Sequence, residues 1–87
     1  MSIKEIKSEL KEIRNLNKHC ISSQLTTKYI ELFKGLKPLE STIMTECYIN
    51  GKSYRACGLK VYYSERQVKR IVHTCISKLN SMINEYH

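Results

Sequence analysis

From Ser64 onward the chain repeats apolar residues at steps of three and four: Val68, Ile71, Val72, Cys75, Leu79 and Met82. That spacing draws one stripe down a face of an α-helix and does not suit a strand, whose apolar positions alternate in twos. The start of the stripe is equally well marked. Ser64-Glu65-Arg66-Gln67 is a capping-box pattern, in which the Ser hydroxyl accepts the Gln backbone N–H and the Gln side chain accepts the Ser N–H. A long helix with a defined first residue therefore takes a large share of the 87 residues, and the rest of the chain has to bury its stripe.

The preceding residues read as further helices. Ile3, Ile6, Leu10, Ile13 and Asn17 recur at the same steps. Around that helix Lys4, Lys7, Lys11, Arg14 and Lys18 fall in one line, and Glu5, Glu9 and Glu12 in another. Like charges three and four apart repel, so sorted lines of this kind ask for a user outside the helix. Two arrangements stay open. The stripe packs back on Leu25, Tyr29 and Leu32, or it forms a short parallel coiled coil with a second copy, Glu9 facing Arg14 of the partner, which makes a homodimer. Ser22 and Ser23 offer caps for a second helix with Leu25, Tyr29, Leu32, Phe33 and Leu36 on one face and Gly35 near its end. Pro38 suits the first turn of a third helix, with Leu39, Ile43 and Cys47 on the core side and Asn50-Gly51 as left-handed stop residues. Ser53 then caps a short fourth helix carrying Tyr54, Cys57 and Val61 on its inner face.

A chain of this length makes one small domain with no cleft between domains. Its charge is uneven: residues 1 to 50 carry +2 and residues 51 to 87 carry +5 of the total of +7. A basic half attracts polyanions, nucleic acid above all, or else serves as a solubilising surface. The N-terminus has no apolar run of signal-peptide length and no stretch reaches the roughly 18 residues of a membrane span, so a cytoplasmic protein with no membrane partner is expected. Cys20, Cys47, Cys57 and Cys75 lack a Cys-x-x-Cys pair and read as small buried hydrophobes. His19 beside Cys20, and His73 near Cys75, do not have helical ligand spacing, so neither a metal nor another cofactor is expected. Aspartate is absent from the chain, and neither paired carboxylates nor a phosphate-cradling glycine loop occurs, which disfavours an enzyme.

Residues 36 to 80 resemble a known family, the helix-turn-helix of bacterial sigma factors in the region that reads the promoter's minus-thirty-five element. The resemblance rests on Leu39-Glu40, Gly51-Lys52-Ser53 and Ser64-Glu65-Arg66-Gln67-Val68-Lys69-Arg70-Ile71 at compatible spacings. Val61, Tyr63, Val68 and Ile71 stand where the pattern takes apolar residues, and Gly58 where it takes a small one. The chain is also similar to small phage late-transcription regulators of the ArpU and RinA type. It departs from the pattern at Tyr62, where the turn usually has glycine; a non-glycine residue in the left-handed region costs about 1–2 kcal/mol. Of the two adjacent tyrosines, Tyr63 is expected in the core.

The expected fold is all-α: a small domain of four to five helices with a C-terminal helix-turn-helix over residues 52–80 and a long recognition helix. Residues 1–20 form an N-terminal amphipathic helix and residues 21–87 the helical domain. The resemblance implies a sequence-specific transcriptional regulator that binds double-stranded DNA, of phage or prophage origin, with RNA polymerase as a possible second partner. On the outward face of the recognition helix Arg66 and Arg70 can fork onto guanine, beside Lys69 and His73, while Glu65 or Gln67 accepts from cytosine or pairs with adenine. Lys52, Ser53, Arg55 and Lys60 are the expected phosphate contacts, and Tyr62 and Ser64 lie at the helix entrance. The alternative is a helical adaptor or anti-repressor that binds polymerase or a repressor without reading DNA.

Overall fold

The computed structural model of the chain describes residues 2–18 and 23–85. His19, Cys20 and Ser22, and the side chain of Lys18, lie outside the described residues. The helices are α1 (Ile3–Lys18), α2 (Gln24–Phe33), α3 (Pro38–Met44), α4 (Tyr54–Val61) and α5 (Glu65–Glu85); α3 runs straight into a π-helical turn over Thr45–Ile49. There is no strand among the described residues, and the fold is all-α.

Each helix starts where the local chemistry favours it. Ser23 caps α2 by accepting the Thr26 N–H at 3.2 Å. Pro38 occupies the first turn of α3, where its missing N–H costs nothing. Glu40 reaches back to the Lys37 N–H at 3.2 Å, and Ser53 caps α4 through the Ala56 N–H at 3.1 Å. The π-helical turn leaves carbonyls without a helical partner. Asn17, the polar end of the α1 stripe, donates to Ile49 O at 3.0 Å and Tyr48 O at 3.4 Å, so buried backbone acceptors are met by another helix. Gly51 takes the left-handed conformation at φ 68°, whereas Asn50 stays right-handed at φ −89°; a single left-handed residue stops α3, where two are expected from the sequence.

The core draws on every helix: α1, α3 with its π-helical turn and α5 supply most of it, Tyr29 and Phe33 come from α2 and Cys57 from α4. Ile6, Leu10 and Ile13 are fully buried inside this one chain. They pack chiefly on the π-helical turn and α5, with only a smaller contact to α2, so the α2 residues Leu25 and Leu32 are not their main support. This burial leaves no free seam on α1 for a coiled coil. The acidic line of α1 also has a use within the chain: Glu9 accepts from the Tyr29 hydroxyl at 2.6 Å and pairs with Lys28 at 3.8 Å.

Two stripes are shifted from their expected positions. Leu39 is exposed, because α3 turns Glu40, Ile43 and Met44 inward, and the π-helical turn Cys47. On α5 the buried residues are Val68, Val72, Cys75, Ile76, Leu79 and Ile83, while Ile71 and Met82 are only partly covered. The buried face has rotated toward α1, which covers the flank carrying Val72 and Ile76. Cys47, Cys57 and Cys75 are free buried thiols. Burial pushes the Cys75 thiol up to about 11, and it stays protonated at neutral pH as a small hydrophobe. No helix among the described residues is long and apolar enough to cross a membrane.

Candidate nucleic-acid interface

The pair α4 and α5 is joined by a turn with a specific closure. Tyr62 ends α4 in the left-handed conformation, φ 64° and ψ 37°. The Tyr63 N–H then donates to Gly58 O at 2.8 Å, the six-to-one bond of a Schellman ending. Gly58 is required here for space: a Cβ built on it falls 2.4 Å from Tyr63 O. The turn thus keeps the geometry glycine would favour while carrying tyrosine, with Tyr62 93% exposed. Tyr63 is also 39% exposed. The expectation that it fills the core fails because its backbone, rather than its ring, makes the close approach to α4.

The capping box sets the first residue of α5. Gln67 N–H donates to Ser64 Oγ at 3.2 Å and Ser64 N–H to Gln67 Oε1 at 2.9 Å. Both side chains are therefore engaged in holding the helix entrance, and Gln67 keeps its amide N–H groups for an outside acceptor. Glu65 lies exposed in the first turn, where the helix dipole favours a carboxylate. Beyond it Arg66, Lys69, Arg70 and His73 are all exposed. Among the described residues none of these four has an ion-pair partner. Arg66, Arg70 and His73 lie on the side of α5 opposite to Val68, Cys75 and Leu79, and Lys69 lies on its flank, on a helix anchored at its start and packed along its length.

The residues expected to hold phosphate divide into two groups. Arg55 is exposed near the start of α4, with no ion pair among the described residues. Ser53 spends its hydroxyl on the α4 cap. Lys52 and Lys60 converge on Glu46, a buried carboxylate of the π-helical turn, at 3.0 Å and 2.7 Å. Lys60 donates a well-directed hydrogen bond to Oε1; Lys52 faces Oε2 as an ion pair without that alignment. The hydrogen bond from Lys60, then the ion pair with Lys52, holds the Glu46 carboxyl below the usual carboxylate range. Phosphate contact by either lysine would have to share it with Glu46. An acidic residue at the inner flank of a helix, two steps beyond Met44, was the signal in the sequence that a cation had to be brought to it. Glu40 is met in the same way by Lys78 of α5, at 2.7 Å and 2.9 Å; this bond chiefly lowers its pKa.

The N-terminal helix contributes a surface that sequence reasoning did not connect to α5. Lys7, Lys11 and Arg14 line a groove of about 380 Å³ together with Tyr48, Tyr54 and His73. Arg14 also donates to Gly51 O at 3.5 Å, tying α1 to the loop that leads into α4. The basic line of α1, the first residue of α4 and the outward face of α5 therefore meet. Among the described residues no group of three His, Cys, Asp or Glu side chains comes together. Comparison of the chain with family models, with curated proteins and with solved structures gave no significant match.

Proposed function

We propose that this protein is a sequence-specific DNA-binding transcriptional regulator that inserts α5 into the major groove. The observation that carries the reading is the set Arg66, Lys69, Arg70 and His73, without ion-pair partners among the described residues, on one exposed face of a helix whose entrance is locked by two reciprocal hydrogen bonds. An unpaired arginine on a helix of fixed backbone suits bidentate recognition of guanine, because no ion pair within the chain has to be broken before its fork meets the base edge. Arg55 and the shared lysines Lys52 and Lys60 supply backbone contacts that set register without carrying sequence.

The resemblance of residues 36 to 80 to sigma-factor helix-turn-helix domains supports a promoter-proximal role, and with it a phage or prophage origin, a cytoplasmic location and a non-enzymatic function. One module of this size buries little surface on DNA. RNA polymerase, bound at the same promoter, is the partner that would supply the missing affinity. The test is selection of bound duplexes from a random pool, followed by Arg70→Ala and Lys52→Ala on the selected site. Arg70→Ala should cost about 1–3 kcal/mol on the selected duplex and relax the base preference, whereas Lys52→Ala weakens all duplexes alike. Equal losses for Arg70→Ala on selected and random duplexes would remove base reading from α5. Failure to enrich any sequence, together with retention on RNA polymerase, would favour the adaptor instead.

A further inference from the structure

We propose that the groove between α1 and α5 is a second phosphate-binding surface, in which Lys7 and Lys11 hold the sugar-phosphate backbone of the duplex that α5 reads. The proposal rests on α5 being the DNA-facing helix and adds α1 to the interface. Lys7, Lys11, Arg14 and His73 line one groove, and among the described residues Lys7 and Lys11 have no ion-pair partner. Lys7 and Lys11 are four apart and Lys11 and Arg14 three apart, spacings at which like charges on a helix repel. The carboxylates of α1 do not neutralise them: Glu5, Glu9 and Glu12 lie along another line of the helix, Glu9 meeting Tyr29 and Lys28, and neither Glu5 nor Glu12 pairs with Lys7 or Lys11 among the described residues. An anion lying in the groove removes the repulsion.

The shape and position of the groove favour DNA over a small anion. His73 belongs both to the groove and to the outward face of α5, so the groove is continuous with the base-reading surface. Packed helices lie about 8–10 Å apart, and the major groove is about 12 Å wide between its two backbones. A helix packed beside one that occupies the major groove therefore lies over a flanking phosphate strand. The groove wall adds neutral donors. The Tyr48 and Tyr54 hydroxyls stand 3.4 Å apart, and burial raises the Tyr48 pKa above its ordinary value, so its proton is retained.

The experiment measures binding of a selected duplex and a random duplex between about 50 and 200 mM salt, for wild type, Lys7→Gln/Lys11→Gln, Lys7→Arg/Lys11→Arg and Lys34→Gln/Lys37→Gln. The last pair removes the same formal charge at the α2–α3 connection, where Lys34 pairs with Glu31 and Lys37 shares a groove with Met82, at the far end of α5 from the reading face. All substituted lysines are exposed, and unchanged melting temperatures confirm the folds. The expected result is a slope of log affinity against log salt that is shallower by about 2 in the α1 glutamine variant alone. The selected-to-random ratio stays as in wild type, and the arginine variant keeps the full slope. An unchanged slope overturns the proposal, as does an equal loss in the control pair, which would reflect net charge only. The two readings fail separately, since the ratio tests α5 and the slope tests α1. A wild-type protein that ignores duplex DNA but binds poly-glutamate through Lys7 and Lys11 overturns both in favour of an acidic protein partner.

Discussion

Replacing Tyr62 by glycine is expected to stabilise the domain by about 0.5–1 kcal/mol, even though it removes the largest exposed ring in the turn. Tyr62 sits at φ 64° and ψ 37°, where the Cβ of an L-residue crowds the following carbonyl oxygen and costs about 1–2 kcal/mol. Tyr62 is 93% exposed, so almost no burial is lost with its ring. Against the gain stands glycine's greater freedom in the unfolded chain, about 0.5–1 kcal/mol. For a domain of this size the net change corresponds to a rise in melting temperature of about 2–8 °C. Urea unfolding reads it most cleanly, as a higher midpoint at an unchanged m-value. Tyr62→Ala is the companion variant: it keeps the Cβ and loses the ring, and should stay within about 0.5 kcal/mol of wild type. A loss of stability in the glycine variant would refute the strain account. An equal loss in the alanine variant would show that the ring itself contributes the energy.

Other outcomes follow from the same geometry. Gly58→Ala should destabilise the protein by about 1–3 kcal/mol in chemical denaturation, since its Cβ would meet Tyr63 O at 2.4 Å, and backbone rather than a flexible side chain must move; a neutral result would mean the turn has slack. Leu10→Lys places a charge at a fully buried site and should lower the melting temperature at every protein concentration. Wild type should sediment as a monomer throughout, and a mass that rises with concentration would contradict the intramolecular packing of α1. The native pKa values of Glu40 and Glu46 are lowered by Lys78, and by Lys60 and Lys52. Their contribution is thus fully present above the unfolded carboxylate value of about 4.3 and lost as pH falls through the lower native values. Melting temperature followed from pH 6 downward should drop through that window in wild type, and Glu46→Gln should flatten the drop.

Much of the fold was legible because helix signals are local. The cap at Ser53, the capping box at Ser64, proline at the start of α3 and the spacing that puts Ile6, Leu10 and Ile13 on one face of α1 each depend on residues within a turn or two. What escaped depends on packing between distant segments. The α5 stripe rotated toward Ile76 and Ile83 because α1 lies against that flank, and no spacing within α5 encodes its neighbour. Tyr63 was placed in the core by pattern, yet the turn needed only its backbone. The pairing of Lys52 and Lys60 with Glu46 joins residues 6 and 14 apart in sequence, and side chains read one helix at a time look free when they are not. The sorted charges of α1 gained meaning only once Glu9 was seen against α2 and Lys7 and Lys11 against α5.

The central claim, that α5 faces DNA, is tested most directly by following backbone amide NMR signals of the intact protein while a selected duplex is added. Shifts should concentrate on Arg66 to Ser77, on the α4 start around Arg55, and on Lys7 to Arg14, and they should reverse as salt is raised. The opposite end of the molecule, around Lys37 and Met82, should stay unchanged. No shift at low salt, or shifts confined to α2 and α3, would contradict the account.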